Sequence, residues 1–236
     1  MQPNTEGIAM SEMSYDQRPF GNAEFAENPE NRCPVVLLLD NSASMRGRPM
    51  NELNTGLQVF RDELFADTLA AKRVDVAVVT FGPVKVEIDF VGAQHFHAPT
   101  LSTAADTPMG AAVEQALSLL RARKDAYKSN GIGYYRPWVF LITDGGPTDS
   151  ISRAAQLVRE GEEAKAFMFF AVGVEGANFD TLRQLSVREP LKLDGLRFRD
   201  LFKWLSASLS TVSKSRIDEA PALANPTGPS GWAVAG

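Results

Sequence analysis

The sequence contains few of the residues that disulfides and soft-metal sites need. Its 236 residues include one cysteine, Cys33, and two histidines, His95 and His97. A single thiol cannot close an internal disulfide, and no cysteine cluster is present that could bind zinc. Because Cys33 lies beside the first apolar run, we predict a buried, unreactive thiol. The two histidines share one loop without a third ligand, so we interpret them as solvated or packing residues.

Long apolar runs and an excess of basic charge are also absent. No apolar stretch approaches the roughly 20 residues that cross a bilayer. The first residues lack the basic and then apolar pattern of a secretory signal. These features predict no membrane partner and a cytoplasmic, reducing location. The formal net charge of −5 argues against a nucleic-acid partner, which usually needs a basic face.

Several enzyme motifs are missing as well. The sequence has no G-x-x-x-x-G-K-[ST] loop and no G-x-G-x-x-G after its first strand, which argues against common nucleotide enzymes. It has no G-x-S-x-G elbow for a serine nucleophile. A haloacid-dehalogenase-like phosphatase would need a second aspartate two residues after Asp40, where this chain has Ser42. We therefore predict no enzymatic activity, with a metal-dependent phosphatase-like enzyme as an alternative.

What the sequence does contain is a regular alternation of predicted strands and helices. Hydrophobic residues make up 44% of the chain, enough for a substantial core. Continuous apolar runs indicate strands covered on both faces, and they lie at 34–40, 73–82, 138–144 and 166–174. The run 84–91 alternates and predicts an antiparallel edge strand, with a weak further strand near 190–193. Helical spacing follows Pro49 and Thr107-Pro108, and recurs near 150–163, 178–186 and 197–213.

This alternation predicts an α/β fold. We expect a doubly wound, mostly parallel central sheet of about six strands, with one antiparallel edge strand and helices on both faces. The composition changes at both ends, and the predicted division is an arm at 1–30, a domain at 31–215 and a tail at 216–236.

The two terminal segments are predicted to be flexible. In the polar arm, Phe20 and Phe25 could dock on the domain or on a partner. The tail is rich in proline, glycine and alanine, a composition that cannot bury enough surface to offset its ordering entropy. Trp232 is either a solvated residue of this tail or an anchor on the domain surface or on a partner.

Polar oxygens follow two of the predicted buried strands. The stretch "VVLLLDNSASM" ends in Asp40, Ser42 and Ser44, and "WVFLITD" ends in Asp144. In open α/β sheets, ligands bind outside the carboxyl ends of the strands. Thr107 joins this group from the end of a long loop, which itself suggests function. Two carboxylates and three hydroxyls are hard donors suited to magnesium, calcium or manganese.

Each of these residues also has a simpler interpretation. The serines could cap the helix at Pro49, and Thr107 could cap the next one. Asp144 could be a turn residue before two glycines. The chain would then be a metal-free interaction scaffold, which stays open as an alternative. The joint occurrence of all five at one sheet edge favours a single divalent cation, with a water-filled position that a partner's acidic side chain could take.

These residues resemble a von Willebrand factor A domain with its metal-ion-dependent adhesion site. That motif is Asp-x-Ser-x-Ser followed by a distant Thr and a distant Asp, and the resemblance covers roughly 33–213. The segments "CPVVLLLDNSASMRGRPMNELNTGL", "APTLSTAADTPMGAAVEQAL" and "YYRPWVFLITDGGPTD" further resemble the bacterial TerY/YegL type, named for tellurium resistance.

The resemblance implies a Rossmann-like sheet and metal-dependent protein binding without catalysis. It implies Ser42, Ser44 and Thr107 as direct ligands, and Asp40 and Asp144 as ligands acting directly or through water. The cation would be magnesium, with calcium and manganese as alternatives. Some relatives accompany a protein kinase and a type 2C protein phosphatase, which implies a bacterial cytoplasmic signalling or stress-response system.

Three charged residues near the proposed site leave alternatives open. Relatives often have small glycines before the threonine, whereas this chain has Asp106, which is either solvated or close enough to reach the metal. Arg46 and Arg48 follow the serines directly. They are either surface charges or a means of attracting an acidic partner to the metal face.

Overall fold

The computed structural model describes residues 23–235, so the predicted arm up to residue 22, with Phe20, lies outside the described residues. The strands are β1 Cys33–Leu39, β2 Val74–Phe81, β3 Val84–Gly92, β4 Trp138–Thr143, β5 Met168–Gly173, β6 Leu191–Leu193 and β7 Ala233–Ala235. The helices are α1 Ala23–Glu27, α2 Arg48–Ala66, α3 Thr68–Arg73, α4 Met109–Ser129, α5 Ser152–Glu163, α6 Phe179–Leu185 and α7 Phe198–Lys214.

The strands form one sheet in the order β3-β2-β1-β4-β5-β6-β7. The inner pairs are parallel, and the outer pairs, β2 with β3 and β6 with β7, are antiparallel. This confirms the predicted α/β fold, with its mostly parallel sheet and with β3 as an antiparallel edge strand. A seventh strand, β7, was not predicted and makes the opposite edge antiparallel as well.

Helices cover both faces of the sheet, which explains the continuous apolar run of β1. Side chains alternate across a strand. Val35 and Leu37 therefore pack into a layer built with α2, α3 and α7. Val36 and Leu38 pack into the opposite layer, built with α4, α5 and α6. Cys33 is fully buried at the start of β1, as predicted.

The strand order changes direction between β1 and β4. After β1 the chain crosses one face through α2 to reach β2, whereas it enters β4 from α4 on the other face. The two strands are parallel neighbours, with Leu39 paired to Ile142. Loops that leave such a switch point diverge and open a binding crevice. Asp40 and Asp144 are the first residues after these two strands.

Residues at the end of the predicted arm pack on the domain. They form α1, and the ring of Phe25 contacts Tyr127 edge-on at 5.8 Å between centroids. Arg123 pairs with Glu24 in the same helix. An aromatic contact and ion pairs hold this segment. Packing of this kind needs no periodic pattern of apolar residues, which explains why the polar sequence did not predict it. The proposed boundary at residue 30 itself stays a prediction.

The tail also differs from the expectation of an unpacked segment. Trp232 is only 2% exposed and packs against Trp204, with 5.7 Å between ring centroids. Arg197 donates to the carbonyl of Gly231 at 2.6 Å, and β7 completes the ladder on β6. One buried tryptophan supplies a large apolar area. The tail therefore packs without the periodic pattern from which strands are predicted.

Candidate metal centre

Asp40 is fully buried at the end of β1, with both carboxylate oxygens hydrogen-bonded. Oδ1 accepts the backbone N–H of Ser42 at 2.8 Å. Oδ2 accepts the hydroxyl of Thr143, the last residue of β4. That hydroxyl also accepts the N–H of Gly145 at 3.1 Å. The carboxylate therefore joins the loops that follow the two neighbouring strands.

The two serines form a chain of hydrogen bonds that ends at Asp144. Ser44 Oγ donates to Asp144 Oδ1 at 2.7 Å and lies 2.9 Å from Ser42 Oγ. A hydroxyl has one hydrogen to donate. Because Ser44 donates its hydrogen to the carboxylate, Ser42 is the donor to Ser44. These two hydrogen bonds orient both serine hydroxyls toward Asp144.

Thr107 joins the same group of oxygens above Gly145. A Cβ placed on Gly145 would lie 3.7 Å from Ser44 Oγ and 3.8 Å from both Asp40 Oδ2 and Thr107 Oγ1. Three oxygens from two separate loops thus lie close to Gly145, which belongs to a third loop. Within residues 23–235, Thr107 Oγ1 has no hydrogen-bond partner, although the residue is only 7% exposed. Its oxygen is available to a ligand.

The structure contradicts the interpretation of these hydroxyls as helix caps. The N-cap of α2 is Gly47, and Ser42 makes no capping bond to the 3₁₀ turn at Ala43–Met45. The helix predicted to start at Thr107-Pro108 begins at Met109, with Pro108 at the N-cap position and no side-chain cap of its own. The three hydroxyls therefore do not serve the helices that follow them.

Negative charge at the cluster has no basic counterpart in the described part of the chain. No lysine or arginine there pairs with Asp40 or Asp144. Burial raises the pKa of Asp144, and the nearby charge of Asp40 raises it further, whereas the hydrogen bond from Ser44 lowers it. A buried carboxylate pair without a basic partner in the described residues, with three hydroxyls beside it, fits the donor set of a hard divalent ion.

The hydroxyls are essential to this interpretation. In the described residues, no group of three or more histidine, cysteine, aspartate or glutamate side chains could hold a metal. His95 and His97 are exposed, and His95 forms a hydrogen bond with Gln94. The candidate centre has two carboxylates and therefore depends on hydroxyl oxygens for its remaining ligands.

The charged residues beside the cluster point to solvent. Asp106 is exposed and makes no hydrogen bond or ion pair within residues 23–235. Arg46 and Arg48 are likewise exposed and unpaired in that range. Both arginines lie within four positions of Ser44 in the sequence, after the loop that carries the serines.

Three functional candidates were missed in the sequence: Thr143, Thr148 and Asp149. Thr143 holds Asp40 in place, and the other two contact the Thr107 loop and the start of α4. All three lie in "TDGGPTD", from which only Asp144 was selected. The partners of these residues are distant in sequence and give no local pattern. The one signal that could have pointed to them is the high density of polar residues directly after a buried strand.

Ser44 is the exposed member of the cluster, whereas the other four side chains are buried. Cavities of about 440 to 570 Å³ in the described structure are lined by other residues, such as Glu24, Glu114 and Lys203. No helix in the described residues is both long enough and apolar enough to cross a membrane.

Comparison with solved structures shows the same fold elsewhere. Proximal thread matrix protein 1 from the mussel byssus superposes with a TM-score of 0.53 at 17% identity, over 77% of this chain and 48% of that one. The open conformation of the pilus adhesin SpaC from Lactobacillus rhamnosus GG gives a TM-score of 0.62 at 13% identity, over 77% of this chain and 30% of the adhesin. The chain thus spans less than half of either protein. Identities this low show the fold alone.

Family membership comes from the sequence. No curated protein sequence matches the chain. The family model described as the von Willebrand factor type A domain matches residues 35–191, which is more than half of the chain. Domains of this family are generally protein-interaction modules and typically not enzymes. The chain belongs to the von Willebrand factor type A family.

Proposed function

We propose that the domain binds one divalent cation at Asp40, Ser42, Ser44, Thr107 and Asp144, and through it a protein partner. The observation that supports this most is the convergence of five oxygen-bearing side chains, two of them carboxylates without a basic partner in residues 23–235. When bound, the cation would supply an electrophilic centre that accepts an Asp or Glu side chain of the partner. Magnesium is the proposed ion, with calcium and manganese as alternatives.

The hydrogen bonds suggest different roles for the residues. Thr107 Oγ1 has no partner in residues 23–235, so it can bind the ion directly. The hydroxyls of Ser42 and Ser44 lie 2.9 Å apart and can bind it side by side. Both oxygens of Asp40 are already engaged. We therefore assign Asp40 to orienting the loop and binding through water.

Two arginines after the serine loop support an acidic partner. Arg46 and Arg48 are exposed and unpaired within the described residues, and they directly follow the serine loop. Charge complementarity of this kind raises association rates and orients partners. An acidic segment would place one carboxylate on the cation and others near the arginines.

The cellular setting is also part of the proposal. The segments that resemble the TerY/YegL type support a bacterial cytoplasmic signalling or stress-response role alongside a protein kinase and a type 2C phosphatase. Copurification from the native host tests this. Recovery of a kinase or such a phosphatase with the wild-type protein is expected, and recovery of neither contradicts this part of the proposal.

Calorimetric titration of the metal-free chain with Mg²⁺ and Mn²⁺ tests the metal centre. We expect one site in the wild-type protein and loss of binding in Ser44→Ala and Asp144→Asn, since each removes an oxygen donor. Ser118→Ala, an exposed serine on α4, is the matched control and should bind as the wild type does. No heat with either ion would favour the metal-free scaffold. Phosphatase activity that is lost in Ser42→Ala would instead favour the phosphatase-like enzyme.

Capture of partners with and without a chelator tests the bridging role. We expect chelator to release the partner. Arg46→Glu combined with Arg48→Glu should weaken capture without changing metal affinity. Arg121→Glu, an exposed arginine on α4, is the control with the same charge change per site. A partner retained in chelator would overturn bridging through the cation.

A further inference from the structure

Helix α4, which follows Thr107, takes its N-terminal cap from a distant segment. The first N–H groups of a helix have no partner within the helix. Pro108 stands at the cap position and provides no side-chain bond. The carboxylate of Asp149 accepts instead, from Gly110 N at 3.0 Å and from Ala111 N at 2.8 Å. A negative charge here is also favoured by the helix dipole.

The same distant segment holds Thr107 itself. Thr148 N donates to the carbonyl of Thr107 at 2.9 Å, and Thr107 N donates to Thr148 Oγ1 at 3.2 Å. The backbones lie so close that a Cβ on Gly110 would be 2.3 Å from the carbonyl oxygen of Ser150. Thr107 is thus fixed by residues a few positions after Asp144.

We propose that Asp149 is a positioning residue of the candidate metal centre. By capping α4 next to the Thr148 contacts, it holds the hydroxyl of Thr107 close to Gly145, the residue that follows Asp144. The segment 144–149 therefore positions two side chains of the centre. It contributes the carboxylate of Asp144 directly, and it positions the hydroxyl of Thr107 through α4. This inference rests on the proposed function, because it gives Asp149 a role in cation affinity and no contact with the ion.

Titration of the full chain with Mn²⁺ tests the proposal against a matched control. Asp67 caps α3 in the same way, accepting from Leu69 N and Ala70 N, both at 3.1 Å. Asp67→Ala therefore removes a cap of the same kind away from the centre, together with the bonds that Asp67 accepts from Ser210 and Lys214. We expect Asp149→Ala to weaken Mn²⁺ binding about 10-fold or more, as outer partners of metal ligands do. Asp67→Ala should keep the wild-type affinity.

The conservative variant adds a second comparison. Asp149→Asn keeps one acceptor oxygen, so its affinity should lie between those of the wild type and Asp149→Ala. Equal Mn²⁺ affinity in Asp149→Ala and Asp67→Ala would overturn the proposal, because the cap would then serve only the stability of the fold.

Hydrogen exchange in the metal-free protein separates this proposal from the proposed function. Asp149→Ala should speed exchange of the Gly110, Ala111 and Thr148 amides relative to Asp67→Ala. If the wild-type chain binds no Mn²⁺, the proposed function fails, and exchange then decides whether Asp149 holds the Thr107 loop. Unchanged exchange overturns the positioning role, and faster exchange supports it.

Discussion

At the scale of single residues, the cluster depends on one side chain that binds no ligand in our proposal. Thr143 is fully buried and links Asp40 to Gly145 through its hydroxyl. The carboxylate and the amide both lose a partner if that hydroxyl is removed. A buried polar group left without a partner costs free energy, and an apolar side chain of the same shape cannot restore the lost hydrogen bond.

Thr143→Val should therefore lower the free energy of unfolding by about 1–3 kcal/mol, measured by urea denaturation. Thr80→Val is the matched control, because Thr80 is also buried in a strand but donates to Glu87, which solvent can still reach. Thr80→Val should lower the free energy of unfolding by less than Thr143→Val does. A Thr143→Val cost equal to or below that of the control would contradict the linking role.

At the scale of elements, β7 depends on one tryptophan. Trp232 is buried in the layer formed with α7, yet its indole N–H has no acceptor in the described residues. We expect Trp232→Ala to cost about 3–5 kcal/mol of stability, because a large buried ring is lost. Trp232→Phe should cost less than half of that, because it keeps an aromatic ring and removes only an unpaired donor. Urea unfolding followed by circular dichroism measures both, and equal costs would contradict this account.

A second element-scale prediction concerns pH. Burial alone would raise the pKa of Asp67, but hydrogen bonds from Lys214, Ser210 and two α3 amides bring it well below its ordinary value. A carboxyl group with a lowered folded pKa stabilises the fold above its unfolded pKa of about 3.9, and that contribution is lost as the pH falls toward the folded value.

Asp67→Asn should thus be less stable than the wild type at pH 7, and the difference should shrink below about pH 4. Thermal unfolding across that range measures it. Asp62→Asn, which removes an exposed carboxylate, is the control and should change the stability at pH 7 by less. A difference that stays constant with pH would rule out the ionised carboxylate as its source.

The elements also show what sequence alone could predict. The buried strands were predictable because a strand covered on both faces must be apolar throughout, and the carboxyl ends of β1 and β4 followed from that. The residues of β7 were not predictable, since Ala-Val-Ala is too short to show the alternating pattern of a strand. The cap on α4 was equally hidden, because Asp149 and Gly110 lie 39 positions apart. The sequence is sufficient to propose all five candidate residues, but the residues that orient them are recognisable only in the structure.

At the scale of the whole molecule, a cation held by three loops should stabilise the entire domain. A ligand at 100 times its dissociation constant adds about 2.7 kcal/mol to stability. For a domain of this size, that should raise the unfolding temperature by roughly 5–10 °C. Scanning calorimetry with saturating Mg²⁺ or Mn²⁺ measures the shift, and Asp144→Asn should show none. A shift of the same size in the variant would place the stabilising ion elsewhere.

The buried Cys33 gives the molecule a practical property. Burial raises the pKa of its thiol strongly, with a smaller contribution from the charge of Asp75, and the chain has no other cysteine. Thiol-reactive dyes should therefore leave the native protein unlabelled. A cysteine introduced in place of Arg121, away from the candidate centre, would then be the one reactive thiol. The anisotropy of a fluorophore there would rise when a large partner binds, without the label occupying the proposed binding face and without a cysteine-free background having to be engineered first.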